Sequence, residues 1–138
     1  MDAASPARLY ATLVGGTLVI AGIIGFFYSS SFGGPGHVDK VFGLLGVNGF
    51  HNVFHIVSGA LGLLLAASFA RQYALGLGVV YIALTIWGFI IGDGHSILGF
   101  IPVNTADDFL HLILGLLGVA AGLATPAART AGSAAPAT

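Results

Sequence analysis

Asn48-Gly49-Phe50-His51-Asn52-Val53-Phe54-His55-Ile56-Val57-Ser58-Gly59-Ala60-Leu61-Gly62 is an apolar stretch with a polar stripe. A second stretch repeats its plan 56 residues later: Asn104-Thr105-Ala106-Asp107-Asp108-Phe109-Leu110-His111-Leu112-Ile113-Leu114-Gly115-Leu116-Leu117-Gly118. Five of fifteen positions are identical: Asn48/Asn104, His55/His111, Gly59/Gly115, Leu61/Leu117 and Gly62/Gly118. In each copy the polar residues and then the glycines recur at helical spacing along one face. Both copies lie in segments apolar enough for a bilayer, where polar side chains are costly without partners or a purpose.

Composition gives the surroundings. Hydrophobic residues make up 57% of the chain and charged residues only 7%. Soluble domains carry about 25% charged residues, so this chain belongs in a membrane. A net charge of −1 gives no footing for nucleic acid, and no nucleic-acid partner is expected. Cysteine is absent, which removes disulfides and thiolate chemistry.

Working outward, charge-free windows mark the spans. Leu9–Phe27 is a continuous helix-compatible run of 19 residues. At ~1.5 Å per residue it covers roughly 28 Å, about one hydrocarbon core. Further windows run between Lys40 and Arg71, Arg71 and Asp93, and Asp108 and Arg129. The sequence therefore predicts an all-α integral membrane protein, a bundle of four transmembrane helices at roughly 8–28, 48–70, 73–92 and 105–124. The start of the second helix is open within 39–50. Residues 1–7 form a short N-terminus, 8–124 the transmembrane domain, and 125–138, rich in Ala, Pro, Ser and Thr, a disordered tail. The first span is read as a retained helix, since its apolar run exceeds the ~7–15 residues of a signal h-region.

Arg8, Arg71 and Arg129 fall on one side of such a bundle and only Lys40 on the other. The positive-inside rule then places both termini in the cytoplasm of a multi-pass cell-membrane protein. In that arrangement His37, His51, His55, His95, His111 and the asparagines and aspartates around them all lie toward the extracytoplasmic side. The weaker match of Ile23-Ile24-Gly25-Phe26 to Ile86-Trp87-Gly88-Phe89 extends the repeat to the first and third helices. Two parallel helical hairpins related by a pseudo-two-fold axis along the membrane normal follow. The second and fourth helices are expected to meet at the bundle centre. Their small residues Ser58, Gly59, Gly62, Gly115, Gly118 and Gly122 suit close helix packing.

His51 and His55 are four residues apart and share a helix face, as do Asp107 and His111. If the two helices face each other, three imidazoles and a carboxylate converge. That set suits Zn²⁺ or another borderline divalent metal, with Asn48, Asn52 and Asn104 orienting the rings. Paired His55 and His111 beside glycines also suit axial ligation of a haem b. A third reading is a purely structural polar network, including Asp108 with Thr105 as a capping box. A proton or small-ligand site is the fourth. No nucleophile–base–orienter set is present, so the sequence leans toward a non-catalytic structural or accessory membrane subunit. The lipid bilayer is the one partner implied; a homo-oligomer or a larger membrane complex stays open.

At His51-Asn52-x-x-His55 followed by Gly59, and at Asn104-Thr105-Ala106-Asp107 with Leu110-His111, the chain resembles the uncharacterised bacterial membrane family called domain of unknown function 4383. The resemblance covers roughly residues 8–124. It implies a small four-helix membrane fold and no activity.

Overall fold

The computed structural model describes residues 5–33 and 38–127. Helix α1 runs Pro6–Tyr28, α2 Gly49–Leu65, α3 Ala70–Ile91 and α4 Thr105–Ala124. Strands β1 (Asp39–Val41) and β2 (Leu45–Val47) join α1 to α2, and β3 (Ser96–Ile97) and β4 (Ile101–Pro102) join α3 to α4. His37 and the tail beyond Ala127 lie outside the described residues. Thr125, expected at the head of a disordered tail, is instead held. Its Oγ1 accepts from Ala7 N at 2.9 Å, and its carbonyl accepts from Arg71 Nε at 3.0 Å.

Local sequence sets the helix ends. Ser5 caps α1, its side chain accepting from Arg8 N, with Pro6 in the first turn. Asn48 caps α2 by accepting from His51 N. Asn104 caps α4 in a reciprocal box with Asp107 at the third helical position. The capping pair is thus Asn104/Asp107, one residue upstream of the Thr105/Asp108 pair expected from sequence. Gly92 ends α3 at φ 76°, a conformation that glycine adopts without a Cβ clash.

Helices α1, α3 and α4 are long and apolar enough to cross a membrane, as in a multi-pass membrane protein. Helix α2 is shorter than the predicted span over 48–70: it has 17 residues, about 25 Å at 1.5 Å each. It stops at Leu65 because Ala66–Phe69 form the turn that leads into α3. The purely helical prediction also missed the two small antiparallel hairpins. In each, both residues at the tip have positive φ: Phe42 and Gly43 in the first, Leu98 and Gly99 in the second. That is the backbone a tight hairpin turn demands.

Packing is strongest within each hairpin, α1 on α2 and α3 on α4. Glycines bring the backbones together. A Cβ at Gly59 would lie 2.5 Å from Gly15 O, and one at Gly78 would lie 2.8 Å from Gly115 O. Higher up, the Asn52 side chain fills the space over Gly25, and the Asp108 carboxylate fills that over Gly88.

The second and fourth helices do not pack along one another, contrary to expectation. Helices α1 and α3 cross instead, through Ala7, Tyr10 and Ala11 against Ala70, Tyr73 and Ala74. The physical reason lies in the tyrosines. Gly62 leaves room for the Tyr73 ring and Gly118 for the Tyr10 ring. Their hydroxyls then donate across the hairpins, Tyr73 to Ser58 O at 3.0 Å and Tyr10 to Leu114 O at 2.9 Å. A ring, rather than a facing helix, takes the place of the missing Cβ atoms.

These contacts recur at fixed offsets. Tyr10 and Tyr73 are 63 residues apart, and their acceptors Ser58 and Leu114 are 56 apart. At the opposite end, Asn48 Nδ2 donates to Phe100 O at 2.7 Å and Asn104 Nδ2 donates to Leu44 O at 2.9 Å. Each capping asparagine thus reaches the connecting hairpin of the other half.

Candidate functional site

The three histidines of α2 and α4 come together at the hairpin end. His51 and His55 project from adjacent turns of α2, with Nε2 atoms 3.1 Å apart. His111 projects from α4, its ring centroid 5.9 Å from that of His51 and 6.3 Å from that of His55. One ring nitrogen from each lies within 4.8 Å of the others. Tetrahedral Zn²⁺ with Zn–N bonds of ~2.0–2.1 Å needs nitrogens about 3.4 Å apart. The α2 pair is already close to that, and His111 has at most about 1.4 Å to close, within reach of a side-chain rotation.

Asp107 stands outside this group. Its Oδ2 accepts from Gly46 N at 2.9 Å and from Asn104 N at 3.1 Å, so the carboxylate is committed to backbone donors. The repeat explains why its counterpart, His51, is not tied to a backbone N–H in the same way. The residue equivalent to Gly46 in the second half is Pro102, which has no N–H to donate. An aspartate at position 51 would lose the donor that Asp107 enjoys; a histidine there turns to His55.

The asparagines expected to orient the rings do other work. Asn48 and Asn104 cap helices and bridge the halves, as above. Asn52 faces α1, where Nδ2 donates to Ser29 O at 2.8 Å. Thr105 binds Asp93: its N and Oγ1 lie 2.7 and 2.9 Å from Asp93 Oδ1. Asp108 faces α3, where Thr85 Oγ1 donates to its carbonyl at 3.1 Å. His95 is exposed in the loop after α3. Ser58 bonds back to Phe54 O at 2.6 Å, and Gly122 packs on Leu75.

Tyr81 was not singled out from sequence, yet its ring stacks on His111 at 4.8 Å and 13°. Helical spacing placed it on α3, but only the fold brings it to the histidines. A cavity of about 230 Å³ opens beside them, between α2 and α3. His51, His55, Ser58, Tyr81 and His111 are among its lining residues, but the surface they and their neighbours turn to it is almost wholly apolar. Nδ1 of His51, Nδ1 of His111 and the Tyr81 hydroxyl are buried without a hydrogen-bond partner among the described residues. Ser29 Oγ, Asn52 Oδ1 and Asp108 Oδ1 share that condition elsewhere in the bundle.

The haem reading does not survive this geometry. The His51 ring sits 4.4 Å from His55 and 5.9 Å from His111, in the space a macrocycle between them would need. The 230 Å³ cavity is also smaller than the roughly 300–1,000 Å³ of pockets for drug-sized ligands.

Residues 8–124 match the family described as Domain of unknown function (DUF4383). The match covers most of the chain, which belongs to that family. No curated protein and no solved structure matches it.

Proposed function

We propose that this DUF4383 member is a non-catalytic integral membrane protein that holds one divalent transition-metal ion, with Zn²⁺ chemistry, between His51, His55 and His111. The observation that carries the reading is the convergence of three imidazole nitrogens within 4.8 Å, two from one hairpin and one from the other. Neutral imidazoles suit Zn²⁺ and other borderline divalent ions. Three protein ligands leave a fourth position, on the side of the cavity. An ion there ties α2 to α4, which do not pack along one another, so its role is to lock the two halves together.

All four helices cross the bilayer in this reading. The short α2 is completed by the turn Ala66–Phe69 at one end and the β2 strand at the other. The halves are parallel hairpins about a pseudo-two-fold axis normal to the membrane, supported by the paired tyrosine and asparagine bonds. Arg8 and Arg71 on the terminal side support cytoplasmic termini and an extracytoplasmic metal site.

The test is thermal unfolding of detergent-purified, chelator-treated protein with and without Zn²⁺. An ion that binds only the folded state raises stability by RT ln(1 + [L]/Kd), about 2.7 kcal/mol at a hundredfold excess over Kd. Protection in the wild type and its loss in His55→Ala and His111→Ala are expected. Equal responses in all three proteins would remove the metal.

A further inference from the structure

The two connecting hairpins turn on an unusual pair of residues. Phe42 and Leu98 lie 56 residues apart, at equivalent tips, with φ of 52° and 53°. At that left-handed position a tight turn favours asparagine, aspartate or glycine, because a larger side chain strains the backbone. Packing within the chain does not offset the strain: Phe42 is 80% exposed and Leu98 59% exposed. In water each tip would carry both a strained backbone and a bare apolar side chain. One exposed leucine needs no explanation. The same unfavourable choice at the same turn of both halves does.

The level of the tips supplies the explanation. Helix α1 has 23 residues and α3 has 22, about 34 and 33 Å at 1.5 Å each. The hydrocarbon core is roughly 30 Å thick, so spans of this length end in the interfacial layer. Tyr28 is the last residue of α1, and the Phe42 ring meets it edge-on with centroids 5.7 Å apart. Leu98 lines the same cavity as Trp87, which stands one turn before Ile91, the last residue of α3. Tyr28 and Trp87 are both exposed, and such rings collect at the membrane interface. The tips are therefore level with the helix ends and continuous with the apolar outer surface of α1 and α3. We propose that they are membrane anchors: Phe42 and Leu98 insert into the interfacial layer of the bilayer, where acyl chains meet headgroups. Removal of the two side chains from water then offsets the strain of the turns. Each hairpin also accepts a bond from the capping asparagine of the other half, so anchored tips hold both halves at one depth. The inference rests on α1 and α3 crossing the bilayer, and it does not involve the metal.

The experiment places a tryptophan at each tip of the full-length protein: Trp87→Phe with Phe42→Trp, and Trp87→Phe with Leu98→Trp. Trp87 is the one tryptophan in the chain, so each variant reports a single site and the wild type reports α3. The proteins are placed in phosphatidylcholine nanodiscs whose chains are brominated either near the headgroup or near the methyl end, and each is titrated with iodide. Both tip tryptophans should lose most of their emission to the shallow bromines, less to the deep ones and little to iodide. Strong quenching by iodide with none by the bromines would leave the tips in water and overturn the proposal. Quenching by neither would mean that protein, such as a second copy, covers them, and would overturn it as well. Trp87 in the wild type separates this failure from a failure of the spans: if the bromines do not quench it, α3 is not in the bilayer and the membrane placement falls with the anchors. The unmodified protein gives a second reading that needs no variant to fold. Nuclear Overhauser contacts from the Phe42 ring and the Leu98 methyls to lipid-chain protons are expected, and contacts to water alone would refute the anchors.

Discussion

Adding one methyl group at Gly59 should loosen the contact between α1 and α2, while adding the same group at Gly16 should not. A Cβ at Gly59 would meet Gly15 O at 2.5 Å and Val19 N at 2.8 Å. Both are backbone atoms of α1, so no side chain can rotate away and the helix itself must shift. Overpacking of this kind costs about 1–3 kcal/mol. Replacing a helical glycine by alanine returns about 0.5–1 kcal/mol. The net for Gly59→Ala is therefore a loss of roughly 0–2.5 kcal/mol, centred near 1. A Cβ at Gly16 has nothing within 4 Å, so only the helix-propensity gain of about 0.5–1 kcal/mol remains. Because that gain is common to both, the two variants should differ by the overpacking cost, about 1–3 kcal/mol, with Gly59→Ala the less stable. Reversible unfolding in mixed micelles, followed by circular dichroism as the denaturing detergent is increased, measures both. Equal stabilities for the two variants would refute the packing argument, because intrinsic propensity is the same at each position.

The paired contacts give further expectations. Tyr10→Phe and Tyr73→Phe each remove one hydrogen bond between the hairpins, and each should cost about 0.5–1.5 kcal/mol in the same unfolding assay; a large effect of one and none of the other would break the equivalence of the halves. Asn104→Ala removes a helix cap and a bridge to Leu44 O, so it should cost about 1–2 kcal/mol from the cap alone. Asp107→Ala should leave Gly46 N without its acceptor and destabilise the protein while leaving Zn²⁺ affinity intact, which a metal titration of the folded variant checks. Zn²⁺ binding should weaken as pH falls, because a protonated imidazole has no lone pair for the ion; calorimetric titration across the acid range would show it.

Much of this arrangement was legible in the residues themselves. The charge-free runs located the helices, and the match of Asn48 and His55 to Asn104 and His111 located the convergence of His55 with His111. What escaped was decided by side chains that reach between elements. The alignment began at Asn48, yet Gly43 and Val47 match Gly99 and Val103 at the same offset. Extending it upstream would have revealed the hairpins. The glycine stripes were read as helix-contact faces without a partner being known. Tyr10 and Tyr73 fill part of that space, and aligning the two tyrosines was the signal available. Asp107 was grouped with the histidines by spacing, but spacing does not show that Gly46 N–H waits for it. The difference between Gly46 and Pro102 does carry that information once the repeat is extended.

The most direct test of the central claim is X-ray absorption at the zinc edge on the purified, Zn²⁺-loaded protein. Three histidines around one ion predict a first shell of nitrogen and oxygen at ~2.0–2.1 Å, with outer-shell scattering from three imidazoles per zinc. In His111→Ala the imidazole count should fall to two. A protein that retains no zinc after washing would contradict the account. So would a zinc spectrum without imidazole scattering, or one identical in the wild type and His111→Ala.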